Sequence, residues 1–254
     1  MKEKLGSIFD GFVLLAIGGF ISFLIFAGNY WYYLNPKFER LTGLTAALLI
    51  LTGLATIIRS KRSLSISRTA VFLVFIAVLA IGTYSGIPRA PQAQADLSQE
   101  NSRDEEPRIT LSGVEYIKIN LAELLWISDK QFLDKLNLHY VVRGIVKRSG
   151  ALDELGYFAL VRSVMTCCLA DSMGLGLPVR DSRVKDFSDG QWVAVYGTLE
   201  RLGEKVPREG LRPGRMRLIT LSRNYGLVPA KIEKIDEPDS PFIFETKDEE
   251  PYAY

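Results

Sequence analysis

Three long apolar runs fill the first third of the chain and constrain its fold more than any other feature. They cover about residues 11–28 (GFVLLAIGGFISFLIFAG), 42–58 (TGLTAALLILTGLATII) and 69–87 (TAVFLVFIAVLAIGTYSGI). None holds a charged side chain, and each is near the ~17–25 residues a helix needs to cross a hydrocarbon core. Residues 1–87 are therefore expected to form a transmembrane region of three spans, the second being the shortest. Gly18, Gly19, Gly43 and Gly53 would let helices approach closely, because association in lipid relies on small residues. Tyr30, Trp31, Tyr32 and Tyr33 end the first span as an aromatic interfacial belt, and Asn35-Pro36 breaks the helix. Bulky aromatics follow the first run where a signal peptide would carry a small-residue cleavage site, so the run reads as a signal-anchor.

The loops between the runs carry the orientation signal. Lys2, Lys4, Arg59, Lys61, Arg62 and Arg68 lie on one side, against Lys37, Arg40 and Arg89 on the other. The cationic excess favours a cytoplasmic N-terminus, and three spans then place the C-terminal domain outside the cytoplasm. With no ionisable residue inside the runs, they read as scaffold and not as a proton or ion relay.

Residues 88–107 (PRAPQAQADLSQENSRDEEP) are polar and proline-rich, too poor in apolar surface to offset their chain entropy, and read as a flexible linker. Residues 108–254 then have the mixed composition of a soluble domain. Ten Lys/Arg and eight Asp/Glu precede residue 107, leaving 21 of each after it from totals of 31 and 29. A formally neutral domain argues against a nucleic-acid partner, which would call for a basic excess. Two cysteines exclude a disulfide framework, and with one histidine they are too few for a four-ligand zinc site of the usual kind.

Alternation at 108–119 predicts a strand, and 120–135 predicts a helix capped by Asn120 with Glu123 at the capping-box position. Strands follow at 136–148, 156–170, 176–180, 191–201, 216–221 and 227–236, and an acidic tail closes the chain. In the first of these Leu138, Tyr140, Val142 and Val146 face inward, while His139, Arg143 and Lys147 share a solvent face. Short strands between turns, with Gly144 and Gly197 marking bends or close backbone approach, predict a mainly-β domain, an OB-like small barrel.

The stretch VRSVMTCCLADS at 161–172 holds both cysteines and is the candidate site. In a regular strand, Cys167 and Cys168 would point to opposite faces and could not act together. A break at the pair would let Cys167, Cys168 and Asp171 converge as two thiolates and a carboxylate, a set suited to a divalent ion such as zinc. The alternatives are a thiol-redox pair, or a buried Cys167 beside an Asp171 that only caps a turn. Arg162 is placed to lower a nearby thiol pKa, or to pair with Asp171 or Glu154. Lys205, Arg208, Arg212, Arg215 and Arg217 form a basic loop that could meet lipid headgroups or an acidic partner. No Gly-rich phosphate loop, nucleophile elbow or paired carboxylates is visible, so the expectation is a protein that is not an enzyme.

The order of these segments resembles a known family. YLNPKFERLTGL follows the first span, then RGIVKR, FALVRSVMTCCLADS, GLPV, QWVAVYGTLE and a closing KIEKIDEPDSPFIF. This series is similar to the YcgQ-like family, the smaller subunit of a two-component membrane permease. Its core is matched by Arg162, Cys167, Cys168 and Asp171, with Trp192 and Gly197 in the following strand and Pro238 and Pro241 in the closing segment. The chain departs from the family where SPFIF replaces an aromatic PY-type ending and TKDEEPYAY follows. The resemblance implies a polytopic permease-family partner, the lipid bilayer, and an accessory role in transport.

Overall fold

The computed structural model describes residues 2–28, 30–59, 106–130, 132–202, 206–207, 211 and 218–254. The expected third span, nearly all of the linker and the five cations of the basic loop lie outside the described residues. The chain divides into two compact units, Met1–Asp96 and Leu97–Tyr254.

In the first unit, α1 (Lys2–Phe26) and α2 (Glu39–Arg59) form an antiparallel pair. Each is long and apolar enough to cross a membrane. Small residues seven apart, two helical turns, make the seam: Gly11 and Gly18 on α1 meet Gly53 and Ala46 on α2. A Cβ on Gly53 would lie 2.9 Å from the Gly11 carbonyl oxygen, and one on Gly18 would lie 3.0 Å from that of Ala46. Of the expected glycines, Gly18 and Gly53 are thus at the contact. Gly19 faces open space and Gly43 has only the end of Ile25 at 3.8 Å. Away from the seam Phe12, Phe23, Leu48, Leu51 and Ile58 are exposed, the surface expected of helices solvated by lipid. Asn35-Pro36 does not break α1, which already ends at Phe26; Asn35 instead caps a short 3-10 turn ahead of α2, its Oδ1 accepting from Lys37 N at 3.0 Å with Pro36 at the first position. The aromatic belt is divided: Tyr30 and Trp31 are buried within the unit, and the Tyr30 hydroxyl bonds Thr42 Oγ1 at 2.8 Å.

The second unit opens with a hairpin where one strand was expected. β1 (Arg108–Leu111) and β2 (Val114–Lys118) pair antiparallel around Ser112 and Gly113, both at positive φ. Two left-handed residues give the turn whose twist matches the strands, and Ser-Gly was its signal. Helix α3 (Leu121–Lys130) starts at the predicted box: Asn120 Oδ1 accepts from Ala122 N and Glu123 N, and Glu123 Oε2 accepts from Asn120 N. The predicted 120–135 helix is interrupted, and a separate turn, α4 (Leu133–Leu136), follows.

Next come β3 (His139–Lys147), α5 (Gly150–Glu154), β4 (Tyr157–Val164), β5 (Met173–Arg180), β6 (Trp192–Arg201), β7 (Ile219–Leu221), β8 (Tyr225–Lys234) and β9 (Phe242–Ile243). Five of these strands close a barrel. β3 pairs antiparallel with β4, β4 with β5, β6 with β8 and β3 with β6, while β5 and β8 are joined by a parallel bridge. Closure leaves these five strands no free edge. Strand β3 changes neighbours along its length: β2 pairs at Tyr140 and Val141, β4 at Ile145 to Lys147. Gly144 sits at the change, where a Cβ would fall 2.9 Å from Leu160. Gly197 marks a register shift between β6 and β8, with the Val228 carbonyl directly over it, so both glycines do what their position in the strands suggested.

Tyr140, Val142, Val146, Phe158, Leu160 and Leu177 fill the interior, and Leu121, Leu124 and Ile127 of α3 join the same core. Leu138, expected inward, precedes β3 and is 38% exposed. The closing stretch is no free tail. Ile243 and Tyr252 are part of the core, and β9 pairs parallel with β4 at Ser163 and Val164.

Candidate metal centre

Strand β4 ends at Val164, three residues before the cysteines, which answers the geometric question posed by the sequence. The chain then passes through buried Met165 into an exposed turn, and a short 3-10 segment, Leu169–Asp171, leads into β5. Strand alternation stops before the pair, so Cys167 and Cys168 are free to point the same way. Their Sγ atoms lie 3.6 Å apart, and the ligand atoms of Cys167, Cys168 and Asp171 all fall within 4.8 Å of one another. No other group of three metal-ligating side chains occurs among the described residues.

Asp171 shapes this turn. Its Oδ2 accepts from Cys167 N at 2.7 Å, and its Oδ1 accepts from Thr166 N at 3.2 Å and Cys168 N at 3.4 Å. Ser172 tightens the far side, its hydroxyl donating to Leu169 O at 2.8 Å. Hydrogen bonds from the Cys167 thiol and these backbone donors hold the Asp171 carboxyl below its usual range. The same contact acts oppositely on the thiol. Its hydrogen bonds to Asp171 and to Cys168 favour the protonated form and push Cys167 up to about 11. Both cysteines are free thiols. The alternative of a buried Cys167 is overturned, because its side chain is exposed. The remaining part of that alternative holds, since Asp171 does close a turn.

Arg162 is not beside the thiols, nor paired with Asp171 or Glu154. It lies inside the domain at 4% exposure, donating from Nη2 to Ser240 O at 2.7 Å, with its guanidinium 5.8 Å from the Trp192 ring. Its Nε is buried without a hydrogen-bond acceptor among the described residues. Desolvation, reinforced by the Arg143 charge and opposed by Tyr254, pushes it down to about 10. It is a positioning residue. By holding Ser240 it sets the approach to β9, and β9 in turn receives Met165 N on Ile243 O at 3.1 Å, just before the cysteines. The sequence marks Met165 only as an apolar strand residue and does not single out Ser240 or Ile243 for this support. The proline pair flanking Ser240, Pro238 and Pro241, was their only signal.

His139 stays out of the site, at the exposed start of β3 with its ring 5.5 Å from that of Tyr116. Arg143, expected on a solvent face, is half-buried under the Tyr254 ring at 3.8 Å.

Residues 89–212 match the family model of the DUF1980 C-terminal domain. The DUF1980 match takes in β1 through β6, and with them Arg162, the cysteine turn, Trp192 and Gly197. Strands β7 to β9 and the closing segment lie beyond the DUF1980 match, although β9 supports the turn inside it. No curated protein matches the chain.

Proposed function

We propose that this chain is a membrane-anchored accessory subunit of a transport complex whose β domain binds a thiophilic divalent ion, such as zinc, at Cys167, Cys168 and Asp171. One observation carries the metal part: two thiols and a carboxylate converge within 4.8 Å on an exposed turn that Asp171 itself organises. Thiolate donors select zinc-like ions over hard cations such as magnesium, which prefer all-oxygen sites. A vicinal disulfide is the less favoured use of the pair. It would need the sulfurs to close from 3.6 Å to ~2.05 Å across one distorted peptide.

The transport setting rests on the apolar helices and on the YcgQ-like order of segments. In that setting the chain has three spans and a cytoplasmic N-terminus, the barrel is OB-like and extracytoplasmic, and the partner is a polytopic permease-family protein in the same bilayer. The neutral charge of the domain supports a partner other than nucleic acid.

The test uses the full chain in detergent. Zinc loading followed by metal analysis should give one ion per chain, lost in Cys167→Ser and in Cys168→Ser. Two freely titrating thiols with no retained ion would remove the metal reading. Co-purification with a polytopic protein tests the setting separately, and repeated isolation of the chain alone would count against it.

A further inference from the structure

We propose that the cysteine turn is an exchange site: it holds its ion through two thiolates in tetrahedral geometry and leaves a coordination position open to a ligand from outside the chain. This rests on the metal reading above and concerns how the ion is held.

The sulfur separation selects the geometry. With Zn–S near 2.3 Å, two thiolates at the tetrahedral angle stand ~3.8 Å apart, whereas a linear two-thiolate ion would need ~4.6 Å. The observed 3.6 Å is close to the first value and about an ångström short of the second. Tetrahedral binding therefore needs only a slight opening of the pair.

The donor count decides the rest. A structural zinc site is closed by four protein ligands, and an open position is the mark of a site that binds or turns over something else. Here the described residues supply three candidates, and the third is already committed. Asp171 spends both carboxylate oxygens on backbone N–H groups, so it ligates only through a remaining lone pair, and three protein ligands still leave the fourth position open. The chain's single histidine is on β3, packed on Tyr116. Cys167 is exposed, so an incoming donor reaches the ion from solvent.

Retention of shape follows from the same hydrogen bonds. Asp171 to three backbone donors, and Ser172 to Leu169 O, fix the turn through the chain's own groups. The core of the barrel is built from other residues altogether. The ion can therefore enter and leave without refolding the domain, unlike ions in domains that are unfolded when metal-free.

Cobalt(II), with imidazole as the added donor, tests this on the full chain in detergent micelles. The expected result is a tetrahedral cobalt spectrum with thiolate charge-transfer bands. Imidazole should shift its d–d bands saturably, and far-UV circular dichroism should not change when a chelator strips the ion. Cys167→Ser, at an exposed position, should keep the fold and lose the ion, and with it the thiolate charge-transfer bands. A cobalt spectrum indifferent to imidazole, or loss of β structure on chelation, would make the site closed and structural and overturn the proposal while the metal reading stands. Failure to bind cobalt or zinc at all would remove both.

Discussion

Asp171 acts in two directions through one set of contacts. Its carboxylate is favoured by the N–H groups of Thr166, Cys167 and Cys168, and the same negative charge keeps the Cys167 thiol protonated. Removing the charge should therefore free the thiol. In Asp171→Asn, Cys167 should react with iodoacetamide several-fold faster near pH 8 than in the parent chain, because its pKa falls back from about 11 toward the ordinary thiol range. An unchanged alkylation rate would mean that the carboxylate does not govern the thiol. The depressed carboxyl has its own sign. Its contribution to the turn is present above the ordinary carboxylate pKa and is lost as pH falls through the lowered value. At this scale the sequence was informative: both cysteines and the aspartate were identified from spacing, and convergence was recognised as conditional on a strand break. A strand end near Asp171, Ser172 and Gly174 was legible, but its position at Val164 was not, because Met165 continues the apolar pattern after the pairing of β4 has ended.

Strands and helices show how backbone proximity turns a glycine into a requirement. At Gly197 the β8 carbonyl of Val228 occupies the place of a side chain, with Pro229 Cα at 3.0 Å. Gly197→Ala must push β8 off β6 or bend the bulge, an overpacking cost of about 1–3 kcal/mol. The expected readout is a lower unfolding midpoint at unchanged denaturant slope, and a midpoint equal to the parent's would refute the assignment. Gly53 plays the corresponding part between α1 and α2. Gly53→Leu should weaken hydrogen-exchange protection in both helices, as its side chain meets the Gly11 carbonyl and Leu14 and Leu15. Composition announced the glycines but could not rank them. Gly11 was passed over and Gly43 was favoured, because rotation about the helix axis is set by the partner helix. The hairpin of β1 and β2 was missed for a different reason: Ser-Gly was taken as part of an alternating run.

Across the whole second unit, the closing segment is the surprise. Glu123, placed by sequence as a helix cap, is buried, and its Oε1 also accepts from Lys247 N at 2.7 Å and Ala253 N at 3.0 Å. Asn120 donates to Glu245 O, the Lys135 ammonium bonds the Tyr252 hydroxyl, and Arg108 pairs with Glu250. Burial raises the Glu123 pKa against the pull of its backbone donors. A raised carboxyl gives stability that is fully present below the ordinary pKa of ~4.3 and is lost as pH rises through the folded value. Glu123→Gln should cost about 1–3 kcal/mol at acid pH by leaving a donor facing a donor, yet show less decline in melting temperature as pH rises. Parallel melting curves for the two proteins across that range would contradict this account. Among the described residues, no signal short of the fold joined an N-terminal cap to residues more than a hundred positions later.

What the sequence by itself determined were properties carried by runs of neighbouring residues. Apolar length marked two helices long enough to cross a membrane, alternation marked the strands, and the Asn120–Glu123 spacing marked a helix start, since each is enforced within a few residues of backbone. Tertiary structure alone decided which strands close the barrel, that Arg162 serves Ser240 and Trp192 and not the thiols, and that an acidic ending becomes a packed clasp. It also decided that two adjacent cysteines face one point. These outcomes depend on pairings between distant segments, whose energies arise from burial and hydrogen bonds that no local pattern contains.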